Sequence, residues 1–315
     1  MSNLKLINMR DVEVEPICWL WYPFIPYGKV TIIQGDPGEG KTTLVLQIIA
    51  RLTKGESIID EDESLPINVI YQTAEDGLAD TIKPRLLAAN ADCSKVLVIN
   101  DSDTPLTMRD ARLEQAIVET NAKLVVLDPI QGFLGADVDM HRANEIRPIM
   151  KHISELAEKY KCAIILIGHM NKCSVGKSAY RGLGSIDFQA AARSVLIVGR
   201  IKDEPEIRVV CQTKSSLAPE AKSIAFRLSE ENGFEWIGEY DVTADDLLSG
   251  TVKGTKKQAA MDFLENLLAC GQMSQTEIME LAERRNIAEK TLRNAKEALG
   301  IKSKRENNQW YWSLD

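Results

Sequence analysis

The chain has no apolar stretch able to cross a bilayer. Its longest aliphatic run, Ala163–Ile167, stops after five residues, where a membrane helix needs about 20. It holds three histidines, with no H-E-x-x-H or H-x-x-x-H spacing, and six cysteines (Cys18, Cys93, Cys162, Cys173, Cys211 and Cys270) with no C-x-x-C pair. Neither a zinc site nor a dense disulfide framework is suggested, and the thiols read as reduced packing residues. The first ten residues lack the apolar core and cleavage site of a signal peptide, so a cytoplasmic protein is expected. No internal repeat is visible. What is present is ordinary for a globular chain: 315 residues, 44% hydrophobic, 27% charged and 6% aromatic. That composition excludes a disordered or fibrous protein and allows about two domains.

Charge is unevenly spread. Of a net −8, residues 251–315 hold 11 Lys plus Arg against 9 Asp plus Glu, leaving 27 against 37 for residues 1–250. Two bodies of different electrostatics are implied. In the first, short apolar or β-branched runs (29–34, 68–73, 96–100, 123–127 and 162–168) alternate with helical spacing over 42–52, 81–90, 109–120 and 145–160. Strands apolar on both faces, alternating with helices, predict an α/β domain with a mainly parallel central sheet. Runs at 194–198, 207–212 and 224–228 predict that the sheet continues as hairpin-like strands. A polar stretch between Asp241 and Lys257, with Gly250 and Gly254, reads as a linker, giving expected domains of 1–246 and 257–315 joined by 247–256. Beyond it, three amphipathic helices and a tail alternating around Asn307-Asn308 predict a small winged helix-turn-helix domain.

Gly35-Asp36-Pro37-Gly38-Glu39-Gly40-Lys41-Thr42 matches G-x-x-x-x-G-K-[ST] and lies between a predicted strand and a predicted helix. Chance would produce the bare pattern in roughly one chain in a hundred of this length. Glycines let backbone N–H groups face phosphates, and the helix amino terminus adds partial positive charge. Residues Gly35 to Thr43 are therefore candidates for nucleotide binding, with Lys41 on the β- and γ-phosphates and Thr42 on Mg²⁺. Lys123-Leu-Val-Val-Leu-Asp128 is an apolar strand ending in an acid, so Asp128 is the second candidate for the metal. Pro129 follows, so the acid that polarises the attacking water must come from another strand. Glu75, just past the second predicted strand, is the candidate, with Asp76 as fallback.

These residues resemble the RecA-fold ATPases of the hexameric RepA-type replicative helicase group of plasmids, phages and integrated elements. The likeness spans about residues 16–230 and rests on Trp19-Leu-Trp21, Pro26-Tyr-Gly28-Lys29, the P-loop, Ala74-Glu75-Asp76, Leu127-Asp128-Pro129 and Gly168-His169-Met-Asn171-Lys172. It implies that Glu75 is the catalytic glutamate, that His169 and Asn171 sense the γ-phosphate, and that subunits form a ring, expected to be a hexamer. Arg181-Gly-Leu-Gly-Ser185, Ala191-Ala-Arg193 and Gln212-Thr-Lys214-Ser resemble later segments of the group, making Arg193 and Lys214 candidates for a cation acting on a neighbouring subunit's nucleotide. The Lys-Ser pair departs from the more usual Lys-x-Arg, which leaves the identity of that cation open.

Lys172, Lys177 and Arg181 lie in a Gly/Ser-containing stretch suited to the phosphates of single-stranded DNA in a central channel. In the carboxy-terminal module, Leu292, Ala295 and Leu299 share one helical face, and Lys290, Arg293, Asn294 and Lys296 fall opposite. That face fits a recognition helix for double-stranded DNA, with Lys302, Lys304 and Arg305 of the wing on phosphates. The leading expectation is an ATP- and Mg²⁺-dependent motor on single-stranded DNA that serves replication of a mobile element. An ATP-gated DNA-binding initiator or regulator is the alternative, and a small-molecule kinase fits poorly because no arginine-rich lid is evident.

Overall fold

A computed structural model describes residues 5–59, 64–170, 186–249, 256–269, 271–285, 287–306 and 309–314. The chain divides into two compact units, Met1–Arg200 with Glu206–Tyr240, and Ile201–Pro205 with Asp241–Asp315. The first opens with an antiparallel pair, β1 (Trp19–Trp21) and β2 (Ile25–Pro26). Its aromatics are divided: Trp21 is buried against Phe24, with ring centroids 4.4 Å apart, whereas Trp19 is half-buried and Tyr22 is exposed.

The chain then alternates through β3 (Val30–Gly35), α1 (Lys41–Lys54), β4 (Val69–Thr73), α2 (Lys83–Ala88), β5 (Val96–Leu97), α3 (Ala111–Thr120), β6 (Leu124–Asp128), α4 (Ala143–Tyr160), β7 (Ala163–His169) and α5 (Ile186–Ala191). Four consecutive strands follow, β8 (Ser194–Ile201), β9 (Glu204–Ser215), β10 (Ser223–Ser229) and β11 (Gly233–Tyr240). All but the first two strands form one sheet of order β11-β10-β9-β8-β3-β7-β6-β4-β5. It is parallel from β8 to β5, with β9, β10 and β11 joined antiparallel to one another. Alternate residues supply the cores of the two faces: Ile32 and Ile164 pack in one, Ile33 and Ile165 in the other. Because β7 and β8 flank β3 on opposite sides, the strand order reverses at β3, and its carboxyl end is where an open α/β sheet leaves a ligand crevice.

Three sequence expectations change. The strand expected over 96–100 ends at Leu97, because the buried Gln72 side chain donates to Ile99 O (3.0 Å) and accepts from Ile99 N (3.1 Å) where ladder bonds would continue. The helix expected over 81–90 instead begins with a π-helical turn, Leu78–Ile82, and ends at Ala88. β11 had no counterpart in the sequence reading; it is a sheet edge whose residues alternate between exposed and half-buried, with Trp236 against Phe226.

The second unit contains α6 (Ala244–Ser249), α7 (Lys256–Leu268), β12 (Met273–Ser274), α8 (Gln275–Arg284), α9 (Glu289–Ala298), β13 (Lys302–Glu306) and β14 (Gln309–Ser313). α6 covers the first residues, 247–249, of the stretch expected as a linker. Thr243 and Asp246 cap each other reciprocally, Asp246 N to Thr243 Oγ1 at 3.2 Å and Thr243 N to Asp246 Oδ2 at 3.2 Å, and Leu247 is buried. Residues 250–255 lie outside the described residues. Ser274 caps α8 by accepting from Glu277 N at 3.3 Å. The strands form a sheet of order β12-β14-β13 over a core of Phe263, Leu264, Ile278, Leu292 and Trp312.

Helix α3 ends on Asn121, left-handed at φ 49, whose N–H closes on Ile117 and Val118 carbonyls. Asn tolerates that conformation and Ala does not. Asn121→Ala is expected to destabilise the first unit by about 1 kcal/mol, lowering its thermal midpoint by roughly 2–4 °C, while Asn121→Gly lowers it no further than wild type; differential scanning calorimetry checks both.

Candidate nucleotide site

The parallel register sets the ends of four strands level. Gly35 pairs with His169, and Thr73 with Asp128, so the carboxyl ends of β3, β7, β4 and β6 meet along one edge. Gly35 must be glycine here, since a Cβ would lie 2.2 Å from the Val198 carbonyl oxygen. The loop from Asp36 to Gly40 follows, and Gly40, left-handed at φ 89, caps α1. Thr43 sits in the first turn of that helix.

Lys41 is 5% exposed. Its ammonium donates to two carbonyls of its own loop, Gly35 O at 2.8 Å and Asp36 O at 2.9 Å, and lies 3.4 Å from His169 Nδ1. Burial pulls its pKa below the usual lysine range, with Asp128 and Asp36 opposing the shift. Thr42 Oγ1 donates to Asp128 Oδ2 at 2.7 Å, and the buried Tyr71 hydroxyl donates to the same oxygen at 2.9 Å. Burial raises the Asp128 pKa, against the lowering effect of those two donors. Thr42 and Asp128 thus form a set of adjacent oxygens at the loop, which is what a hard divalent cation such as Mg²⁺ takes.

Glu75 lies in the turn after β4, its Oε2 3.8 Å from His169 Nε2 and its side chain mostly exposed. His169 therefore stands between Lys41 and Glu75, one ring nitrogen toward each. Asp76 is committed elsewhere: its carboxylate pairs with Arg85 at 3.1 Å and its N–H donates to Thr73 Oγ1 at 3.1 Å. Tyr71 was missed in the sequence, where Gln72 and Thr73 follow it in the same strand and nothing local singles out its hydroxyl.

The remaining candidates are dispersed. Arg193 N donates to Val30 O, at the amino end of β3, and Ser216 N donates to Arg193 O, so Arg193 lies at the sheet edge opposite the loop. Lys214 donates to Gln189 O (2.7 Å) and Ala190 O (3.0 Å), closing the end of α5. Neither is brought to this chain's own loop. Asn171, Lys172, Lys177 and Arg181 lie outside the described residues. On α9, Lys290 and Asn294 are exposed and Arg293 pairs with Glu289 at 2.5 Å. Lys296, expected on the polar face, is half-buried, with its ammonium 4.4 Å from the Trp312 ring centroid and bonded to Ser303 Oγ. A helical wheel does not register this contact with a ring on β14. Lys302, Lys304 and Arg305 are exposed on β13. Among the described residues no group of His, Cys, Asp and Glu forms a protein-only metal site, and no helix is long and apolar enough to cross a membrane.

Because burial raises the Asp128 pKa, the folded chain binds that proton more tightly than the unfolded chain. Ionised Asp128 therefore costs stability, increasingly as pH rises above the ordinary carboxylate value. Asp128→Asn is expected to raise the thermal midpoint of the nucleotide-free protein at pH 7, with the gain shrinking as pH falls toward 4; calorimetry across that range checks the sign.

The chain is similar to known proteins in family and fold. Residues 3–175 match the family described as AAA domain. The DNA repair protein RadA of Halalkalibacterium halodurans is 28% identical over 148 residues, covering 46% of this chain and 28% of that protein. Protein RecA of Sinorhizobium medicae is 24% identical over 229 residues, covering 68% of this chain and 60% of RecA. The chain thus spans between about a quarter and two thirds of the length of these relatives. A crystal structure of a KaiC-like protein from Pyrococcus horikoshii OT3 superposes with a TM-score of 0.51 at 16% identity, covering 70% of this chain and 99% of that one. The shared fold is the RecA-like P-loop fold.

Proposed function

Given that the chain belongs to the AAA domain family and has the RecA-like P-loop fold, we propose that it is an ATP-hydrolysing motor, stimulated by DNA and resembling the RepA-type replicative helicases of mobile elements. The observation that carries the reading is the line Lys41, His169, Glu75 beside the oxygen set of Thr42 and Asp128. A triphosphate on the loop takes the Lys41 ammonium from the carbonyls of Gly35 and Asp36. Thr42 and Asp128 hold Mg²⁺, which neutralises phosphate charge when bound. Glu75 orients the attacking water and accepts its proton, a role worth typically 10² to 10⁴ in rate. His169, within reach of both, couples the state of the phosphates to the position of Glu75.

DNA enters the proposal from two sides. The RadA relative is named a DNA repair protein, and Lys172, Lys177 and Arg181 supply cations for a single strand in the channel of a six-membered ring. In such a ring Arg193 and Lys214, remote from their own loop, act on a neighbour's nucleotide. The second unit, one helix, a strand, two helices and two strands from α7 onward, serves as a winged helix on duplex DNA through Lys290, Arg293 and Asn294 of α9 and Lys302, Lys304 and Arg305 of the wing. The protein acts in the cytoplasm.

Steady-state ATPase assays with and without single- and double-stranded DNA test this reading, paired with native mass measurement in nucleotide. Turnover is expected to rise with single-stranded DNA, to vanish in Lys41→Ala, and to fall by at least 10² in Glu75→Gln with ATP binding retained. Retained turnover in Lys41→Ala removes the loop from the mechanism. Removing residues 251–315 should weaken duplex binding and leave basal hydrolysis; slow hydrolysis with tight, site-specific duplex binding by the full chain would favour an ATP-gated initiator instead.

A further inference from the structure

The P-loop carries an acid, Glu39, inside the turn that has to accept an anion. Its side chain is 18% exposed, and Oε2 is fully buried with no hydrogen-bond partner among the described residues. Oε1 lies 3.6 Å from Nη2 of Arg200, near the end of β8, and the same Nη2 donates to Gly38 O at 3.2 Å. A second guanidinium, Arg208 of β9, stands in this neighbourhood; its Nη1 donates to Leu228 O at 3.2 Å and its Nε is buried without a partner. Burial and the nearby Arg200 charge both lower the Arg208 pKa, and Glu39 opposes them. The wall is closed by Leu228, whose Cδ1 would lie 2.8 Å from a Cβ at Gly40.

A half-buried carboxylate this close to a triphosphate repels it with little solvent screening. Nothing in the fold of the turn requires that charge, since no N–H of the turn donates to the Glu39 carboxylate among the described residues. We propose that Arg200 is a positioning residue of the nucleotide site. It cancels the negative charge of Glu39 and pins the loop through Gly38 O, so that the backbone amides meet an incoming triphosphate without an uncompensated anion beside them. The inference rests on the loop being the nucleotide site. It adds a cation that the P-loop pattern does not contain, set on a strand some 160 positions away along the chain.

A double-mutant cycle read by isothermal titration calorimetry with Mg²⁺ and ATP tests it. Arg200→Ala in the otherwise native chain is expected to weaken ATP binding by tenfold or more. Introduced on top of Glu39→Gln, the same substitution is expected to cost threefold or less, because no charge is left to cancel. An Arg200 that merely holds the strand in place would cost the same in both backgrounds and would lower the thermal midpoint equally, which overturns the assignment. So does a loss below threefold in the native background. ATP binding by wild type without this coupling sinks the Arg200 assignment alone; no ATP binding by wild type sinks the nucleotide site as well.

Discussion

One carboxylate oxygen, Asp128 Oδ2, accepts hydrogen bonds from both Thr42 and Tyr71, and the arrangement of the candidate site follows from that junction. Thr42 belongs to the first turn of α1, Tyr71 to β4 and Asp128 to β6, so three separate elements are tied at a single atom. The tie holds the start of α1, and with it the turn that precedes it, against the end of the parallel sheet. Burial makes the ionised carboxylate costly, and the two hydroxyl donors together with the nearby charge of Lys41 offset only part of that cost. Carboxylate and hydroxyl oxygens side by side are the kind of ligand a hard divalent cation takes.

The second organising fact is that Lys41 is satisfied by its own loop. A buried ammonium without partners would be untenable, and the carbonyls of Gly35 and Asp36 provide them. A phosphate binding at this point exchanges neutral acceptors for charged ones, so the lysine changes partners without passing through water. His169 completes the arrangement because the register of β7 on β3 sets it opposite Gly35, and no other described strand end reaches both Lys41 and Glu75.

The parts of this arrangement that could be read from the sequence are those encoded locally. The glycine-rich turn, the apolar strand ending at Asp128 and the alternation of helices and strands each depend on residues within a dozen positions of one another. The mainly parallel sheet follows from strands apolar on both faces. What escaped reading depends on long-range partners. Tyr71 looks like any aromatic in a buried strand until β6 is placed beside it. The early end of β5 is decided by the Gln72 side chain, and β11 reads as polar because only alternate positions face the sheet. Lys296 was assigned to solvent by helical periodicity, which takes no account of an aromatic ring arriving on β14 from sixteen residues further on. The helix α6 had a local signal, Thr243-x-x-Asp246, hidden within a stretch whose composition resembled a linker.

The close approach of Leu228 to Gly40 bears on how this architecture can be altered. The parallel half of the sheet supplies the chemistry, yet the turn that would grip the phosphates leans on β10, three places from β3 in the strand order and on the antiparallel flank. That flank is therefore part of the mould in which the turn is cast. Transplanting residues 30–54 into another scaffold would carry over the motif and leave behind the surface that shapes it, so the smallest portable unit runs to the far side of β10.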